Sequence, residues 1–314
     1  MELYATGFNA WHQLRFESPH DVGEDDSEPE DISSFTCVLQ HDAIHQIHAL
    51  LSYTRVTLDD GEERLAGMVP RSHEKNRLLS SNANIHCLEA PNGVVTIHHT
   101  EKRQTLYQYP SMRSLQSIDL PSHIFSITPS ISQLAAYETG FVALSSTGQV
   151  WTWGDERYTA CLGREPTTDS PAGVPGQVTD LDDLPTGPIT KLAAGGYILA
   201  ALTAGNDLYC WGHAGRSPIL DDLSDTPSPV VIDDKDVIDV AVGEAHMLVL
   251  TSDREVYVIG ENNNGQLGLP GVPSTKTWTR IDLSAVLTSG QTVTGVAAGP
   301  RNSFLIVGKP PEAQ

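Results

Sequence analysis

The chain has 314 residues, with 19 Lys and Arg against 40 Asp and Glu, for a formal net charge of −21. Such a surface repels phosphate and excludes a general nucleic-acid binder, and no apolar run approaches the length of a membrane span. Met1-Glu2-Leu3-Tyr4 shows no leader pattern and Cys37, Cys87, Cys161 and Cys210 form no Cys-x-x-Cys pair, so the expectation is a reduced protein of the cytoplasm and nucleus.

Short apolar runs bounded by Gly, Asn, Asp and Ser recur along the chain, which predicts many short strands. Leu3-Tyr4-Ala5-Thr6-Gly7 reads as one such strand, followed by a loop that carries Trp11. Residues 17–31 hold eight carboxylates and no aromatic, so they are expected to form a solvated, disordered loop, with Ser27 in an acidophilic kinase context. His41, His45 and His48 would share one face of a helix, but Ile44 and Ile47 are the expected buried anchors, and a strand splays the three rings apart. Degenerate repeats follow. One runs from Ile44 to Gly67 with a turn at Asp59-Asp60-Gly61, and the next from His86 to Pro110 with a turn at Asn92-Gly93. In the second, His98 and His99 are expected one in and one out.

Three clear repeats come next, Leu134–Gly154, Leu192–Gly212 and Val240–Gly260, each an apolar triplet, a tight turn, an apolar strand, a polar turn and an aromatic strand ending in Gly. Trp151, Trp153 and Trp211 lie on these strands and are expected in the blade core or facing the channel. Val296–Val307 is a first half without a second, whereas Leu3–Gly7 is a second half without a first. Joining them completes one repeat and removes two open sheet edges, which predicts ring closure. Glycines or stand-ins at 7, 67, 109, 154, 212 and 260 mark the repeats, at a period of about 52 residues. The expected fold is therefore an all-β propeller of six or seven four-stranded blades over residues 1–314, with room for a seventh blade in the long connections, for example 68–85 or 155–190, and a flexible tail at 309–314.

Gly260-Glu-Asn262-Asn-Asn-Gly265-Gln266-Leu267-Gly268 and Gly7-Phe-Asn9-Ala-Trp-His-Gln13-Leu14 share one spacing, and His246 follows Val240-Ala-Val-Gly. With the strands ending at Gly154 and Gly212, these residues resemble the regulator-of-chromosome-condensation repeat family. The repeat glycines are read as sites of positive φ or close backbone approach. Asn9 and Asn262 suit turns, Gln13 and Gln266 tie their loops to backbone, and His246 is expected to bond within its blade.

No P-loop, nucleophile elbow, zinc-protease motif or dinucleotide fingerprint is present, so no enzyme, metal or cofactor is expected. Loop aromatics are the candidate partner-binding residues: Trp11, Tyr158, and Trp278 in the loop after the last full repeat. The size, solitary architecture and degenerate early repeats resemble the family's fungal alpha-tubulin suppressor branch. That resemblance implies a non-enzymatic platform pairing with a small zinc-binding diphthamide-biosynthesis protein, linked to Elongator-dependent tRNA wobble modification. The alternative implied by the family is guanine-nucleotide exchange on a Ran-type GTPase.

Overall fold

The computed structural model describes residues 1–16, 29–59, 61–69, 85–99, 104–117, 119–213, 219–220 and 223–309. Its strands form two compact lobes, one of residues 1–69, 219–221 and 234–314, the other of 70–218 and 222–233.

In the first lobe, β1 (Glu2–Gly7) pairs with β2 (Ile32–Gln40), and β3 (Ile44–Ala49), β4 (Tyr53–Leu58) and β5 (Glu63–Gly67) make a separate antiparallel sheet. The second lobe holds three sheets. The first is β6 (Ile85–Glu89), β7 (Val95–His99), β8 (Thr105–Tyr109) and β9 (His123–Ser126), with a short helix α1 (Met112–Gln116) before β9. The next is β10 (Ile131–Tyr137), β11 (Gly140–Ser145), β12 (Val150–Gly154) and β13 (Gly176–Gln177). The last is β14 (Ile189–Gly195), β15 (Ile198–Thr203), β16 (Leu208–Gly212) and β17 (Ser228–Val230). Back in the first lobe, β18 (Val237–Val242), β19 (His246–Thr251), β20 (Val256–Glu261) and β21 (Ser274–Arg280) form another four-stranded sheet. Finally β22 (Thr292–Ala298) and β23 (Asn302–Gly308) join β1 and β2 in the order β2-β1-β23-β22. The fold is an all-β, six-bladed propeller.

The closing blade is made as the half-repeats predict: β1 lies antiparallel to β23 from Glu2 opposite Val307 to Gly7 opposite Asn302. Two expectations need adjustment. The β3–β5 blade has three strands, not four, among the described residues. No seventh blade lies within 155–190, which holds a 3-10 segment at Glu156–Leu162, the two-residue β13 and a second 3-10 turn at Thr179–Leu181. The acidic residues 17–28, including Ser27, and the tail residues 310–314 lie outside the described residues.

Inner strands are covered on both faces, and their sequences show it. β11 (GFVALS), β15 (ILAALT) and β19 (HMLVLT) are buried at every position, so they read as continuous apolar runs rather than alternating ones. Side chains of successive blades fill the spaces between sheets. Leu248, Val258 and Leu305 share one cluster in the first lobe, and Val142, Leu199 and Trp211 share another in the second.

A bulge near the start of β3, β10, β14, β18 and β22 sets the register of each of those blades. In two of them the residue beyond the bulge grips the next blade. Gln133 accepts from Leu192 N at 2.9 Å and donates to its carbonyl at 2.6 Å, and Asp239 accepts from Val296 N at 2.9 Å. These stitches were missed in the sequence, where the only signal is one polar side chain immediately before an apolar triplet.

Candidate interaction surface

The loops that leave the third strand of five of the six blades begin at a crowded glycine, the exception being β8, which ends at Tyr109. Gly7 (φ 115) and Gly260 (φ 116) hold backbone that a side chain strains, and a Cβ there would stand 2.4 Å from Arg301 O and from Ala245 O, respectively. Gly154 and Gly212 occupy the same position, and a Cβ would stand 2.6 Å from the Tyr137 hydroxyl and 2.1 Å from Tyr197 O.

Beyond the glycine, Asn and Gln build the loop. Asn262 accepts from Leu267 N at 2.7 Å and donates to Leu269 O and Val272 O, while Gln266 accepts from Asn264 N at 2.9 Å. In the loop after β1, Asn9 accepts from Leu14 N at 3.1 Å and Gln13 from Trp11 N at 2.9 Å. Each loop thus folds on itself and drives a leucine into the neighbouring blade: Leu14 is 1 % exposed and Leu267 is fully buried. Gln13 also donates to Leu51 O at 3.0 Å, fixing the Trp11 loop to the turn between β3 and β4.

His246 is fully buried, and its Nε2 lies 2.9 Å from Ser303 Oγ on β23. This corrects the expectation of a bond within its own blade: the partner belongs to the adjacent one. Ser303 donates to Gln266 O at 2.6 Å, so its hydroxyl accepts from the imidazole, which must carry its proton on Nε2. Burial pushes the His246 pKa down to about 4.

The three candidate aromatics sit on three different blades and form no common cluster. Tyr158 packs within its own lobe, 5.2 Å from the Tyr197 ring and 6.0 Å from that of His213, with the Arg157 guanidinium over its face. Burial pushes the Tyr197 hydroxyl up to about 12. Trp278 is corrected from loop to strand: it lies half-buried on β21, the outer strand of its blade.

Trp11 is different. It is 43 % exposed at its loop tip, next to His12, whose φ of 58 matches a position held by Gly265 in the sister loop. Leu51 and Met68 are 47 % and 57 % exposed and belong to the backbone that this loop packs against. Met68 N donates to Ser52 O at 2.8 Å, and a Cβ on Gly67 would stand 2.9 Å from Gln13 Cα. Trp11, Leu51 and Met68 are thus exposed apolar residues on adjoining backbone segments of the first lobe, joined through Gln13, and the latter two escaped sequence reasoning because neither belongs to a motif.

Elsewhere the chain offers little chemistry. β3 places His45 on an exposed face, 2.8 Å from Asp59, and His41 turns onto Ala43 O at 3.1 Å. His98 is buried and its ring is 5.2 Å from that of His86, whereas His99 is half-buried against Tyr107. The cysteines form no disulfide; Cys161 and Cys210 are buried and Cys37 and Cys87 half-buried. No group of three or more His, Cys, Asp or Glu able to hold a metal occurs among the described residues. No helix among them is long and apolar enough to cross a membrane.

Residues 237–266, spanning β18 to the Gly260 loop, match the family described as the regulator of chromosome condensation (RCC1) repeat. The match covers a single repeat. Relatives of that repeat include the human regulator of chromosome condensation, 32 % identical over 152 residues, which are 46 % of this chain and 34 % of that protein. The mitochondrial RCC1 domain-containing protein RUG3 of Arabidopsis thaliana is 28 % identical over 165 residues, 51 % of this chain and 36 % of its own. The matched part thus spans about a third of the length of these relatives. Among solved structures, Prp20p of Saccharomyces cerevisiae superposes with a TM-score of 0.60 at 13 % identity, over 99 % of this chain and 92 % of its own. Human WBSCR16 gives 0.56 at 17 % identity, over 98 % and 82 %. These two likenesses carry the fold alone.

The repeat supplies an internal control on buried hydrogen bonds. Trp211 and Trp153 hold equivalent places, opposite Leu199 and Phe141 in their blades. The Trp211 indole donates to Cys161 O at 3.2 Å, whereas Trp153 Nε1 is buried with no partner among the described residues. Trp211→Phe and Trp153→Phe remove the same volume, so the first is expected to cost ~1–3 kcal/mol more in urea titration than the second, the cost of stranding a buried carbonyl. Equal losses would show the Trp211 hydrogen bond to be worthless.

Proposed function

We propose that this chain is a non-enzymatic protein-interaction platform of the cytoplasm and nucleus, with a contact surface centred on Trp11, Leu51 and Met68. The observation that carries this reading is the exposure of three large apolar side chains on adjoining backbone segments joined through Gln13. An exposed indole held on a rigid loop has little rotamer freedom to lose and a large area to bury on association. The net charge of −21 favours a basic partner and steers its approach.

Two partner classes follow. The resemblance to the alpha-tubulin suppressor branch points to a small zinc-binding diphthamide-biosynthesis protein and a role beside Elongator. The similarity to the human regulator of chromosome condensation, and to Prp20p, described with its binding to Gsp1p and histones, favours a Ran-type GTPase or histones at least as strongly. Pull-down of the tagged chain with mass spectrometry separates them: a small zinc protein supports the first, a GTPase whose nucleotide release the chain accelerates supports the second. In either case Trp11→Ala is expected to weaken retention of the partner by about 30-fold or more, the equivalent of ~2 kcal/mol, while changing stability by less than ~0.5 kcal/mol. Undiminished retention, or a large loss of stability, would remove Trp11 from the surface.

A further inference from the structure

A cavity of about 240 Å³ lies in the second lobe, lined by Val94, Gln108, Thr139, Phe141, Trp153 and Gly173 among others. It stands where the loop after a third strand meets the next blade. At three other such junctions the loop inserts a plug. Leu14, Leu162 and Leu267 are each at most 1 % exposed, and at the Leu162 and Leu267 junctions loop carbonyls also accept from the receiving blade. Trp211 Nε1 donates to Cys161 O at 3.2 Å, Thr6 Oγ1 to Gly265 O at 2.7 Å and Ser303 Oγ to Gln266 O at 2.6 Å.

Among its described residues, the loop after β8 makes no such insertion. It turns into α1, which has no buried residue, and its Leu120 is 90 % exposed. The core between the β6–β9 and β10–β13 blades accordingly contains Leu106, Phe141 and Trp153 but no leucine from the connecting loop. Three polar atoms at the cavity are buried without a hydrogen-bond partner among the described residues: Trp153 Nε1, Thr139 Oγ1 and Gln108 Oε1. Trp153 is 1 % exposed and Thr139 7 %. Buried donors and acceptors in this state each carry a desolvation cost that a bound group relieves.

We infer that this cavity is a vacant plug socket that receives a loop of a partner protein, one presenting a backbone carbonyl beside an aliphatic side chain. The sister plugs define that chemistry. The carbonyl accepts a hydrogen bond from the Trp153 indole N–H, as Cys161 O does from that of Trp211. The following N–H has Gln108 Oε1 as its acceptor, and the aliphatic group covers the Phe141–Trp153 stack, whose centroids are 5.5 Å apart. A volume of about 240 Å³ exceeds that of engineered cavities that bind benzene and accommodates a branched side chain with its peptide group. Asp155 on the rim pairs with Arg157 through both carboxylate oxygens.

The socket deepens the platform reading and rests on it for its biology, but its test does not. The full chain, labelled with nitrogen-15, is titrated with a synthetic peptide of residues 260–268, Gly-Glu-Asn-Asn-Asn-Gly-Gln-Leu-Gly, while the indole N–H signals are followed. The Trp153 signal, assigned by its absence in Trp153→Phe, is expected to shift saturably while that of Trp211 stays in place. A peptide with Leu267→Ala should bind at least tenfold more weakly to the unaltered protein, and Trp153→Phe should bind the original peptide at least tenfold more weakly. A Trp153 signal unmoved at millimolar peptide, or equal binding of the two peptides, overturns the socket. If the peptide binds but the tagged chain retains no partner, the platform reading falls and the socket stands.

Discussion

A chain lacking residues 1–7 is expected to lose its cooperative unfolding transition altogether. β1 is an interior strand of the closing blade, with β23 on one side and β2 on the other, so its removal breaks two ladders. Leu3, Ala5 and Thr6 are fully buried and Tyr4 nearly so. Burying a large apolar side chain is worth roughly 1.5–3 kcal/mol, and each ladder hydrogen bond adds about 1 kcal/mol net. With up to six residue pairs on the β23 side alone, the sum approaches the 5–15 kcal/mol by which domains are typically stable. The deletion also exposes the edge of β23, an apolar strand left open to pairing with other chains. Circular dichroism and light scattering during a thermal ramp read both effects. If the truncated chain melts within a degree or two of the full one, closure by β1 is not what holds this blade.

The second large effect is acid destabilisation through His246. Its pKa in the folded protein, about 4, lies below the value of 6.5 for an unburied imidazole. Between these values the unfolded chain binds a proton that the folded chain refuses, so stability falls as the pH drops through that window. The gap corresponds to about 3 kcal/mol, fully lost near pH 4 and fully restored above pH 6.5. His246→Gln keeps an amide N–H for Ser303 but cannot titrate. The unaltered protein is therefore expected to lose about 3 kcal/mol more than His246→Gln between pH 7 and pH 4, measured by urea titration at each pH. Parallel pH profiles would show that the imidazole is not buried in the neutral form, and would break the link from His246 through Ser303 to Gln266 O.

The six-bladed fold was legible because each repeat carries its own physics in sequence. A strand covered on both faces must be apolar throughout, as β11, β15 and β19 are, and the crowded exit from the third strand demands glycine at 7, 154, 212 and 260. Closure was legible for the same reason, since each chain end supplies only half of that pattern. Outer strands left no comparable mark. β13 has two residues and β17 three, and β21 faces solvent along much of its length, so main-chain ladders hold them with little demand on side chains. That is why Trp278 reads as a loop residue in sequence and lies on a strand in the structure.

What the sequence by itself determined is thus the repeat and the loops built by Asn9, Gln13, Asn262 and Gln266, which depend on neighbours a few residues away. What only the tertiary structure decided is where those repeats touch one another. Ser303 as the partner of His246, the grip of Gln133 on Leu192, the adjoining segments of Trp11, Leu51 and Met68, and the unfilled place beside Trp153 all join residues distant in sequence. A repeat pattern specifies what each blade offers its neighbour. Whether the neighbour fills that offer depends on loops whose conformation the packed blades themselves select.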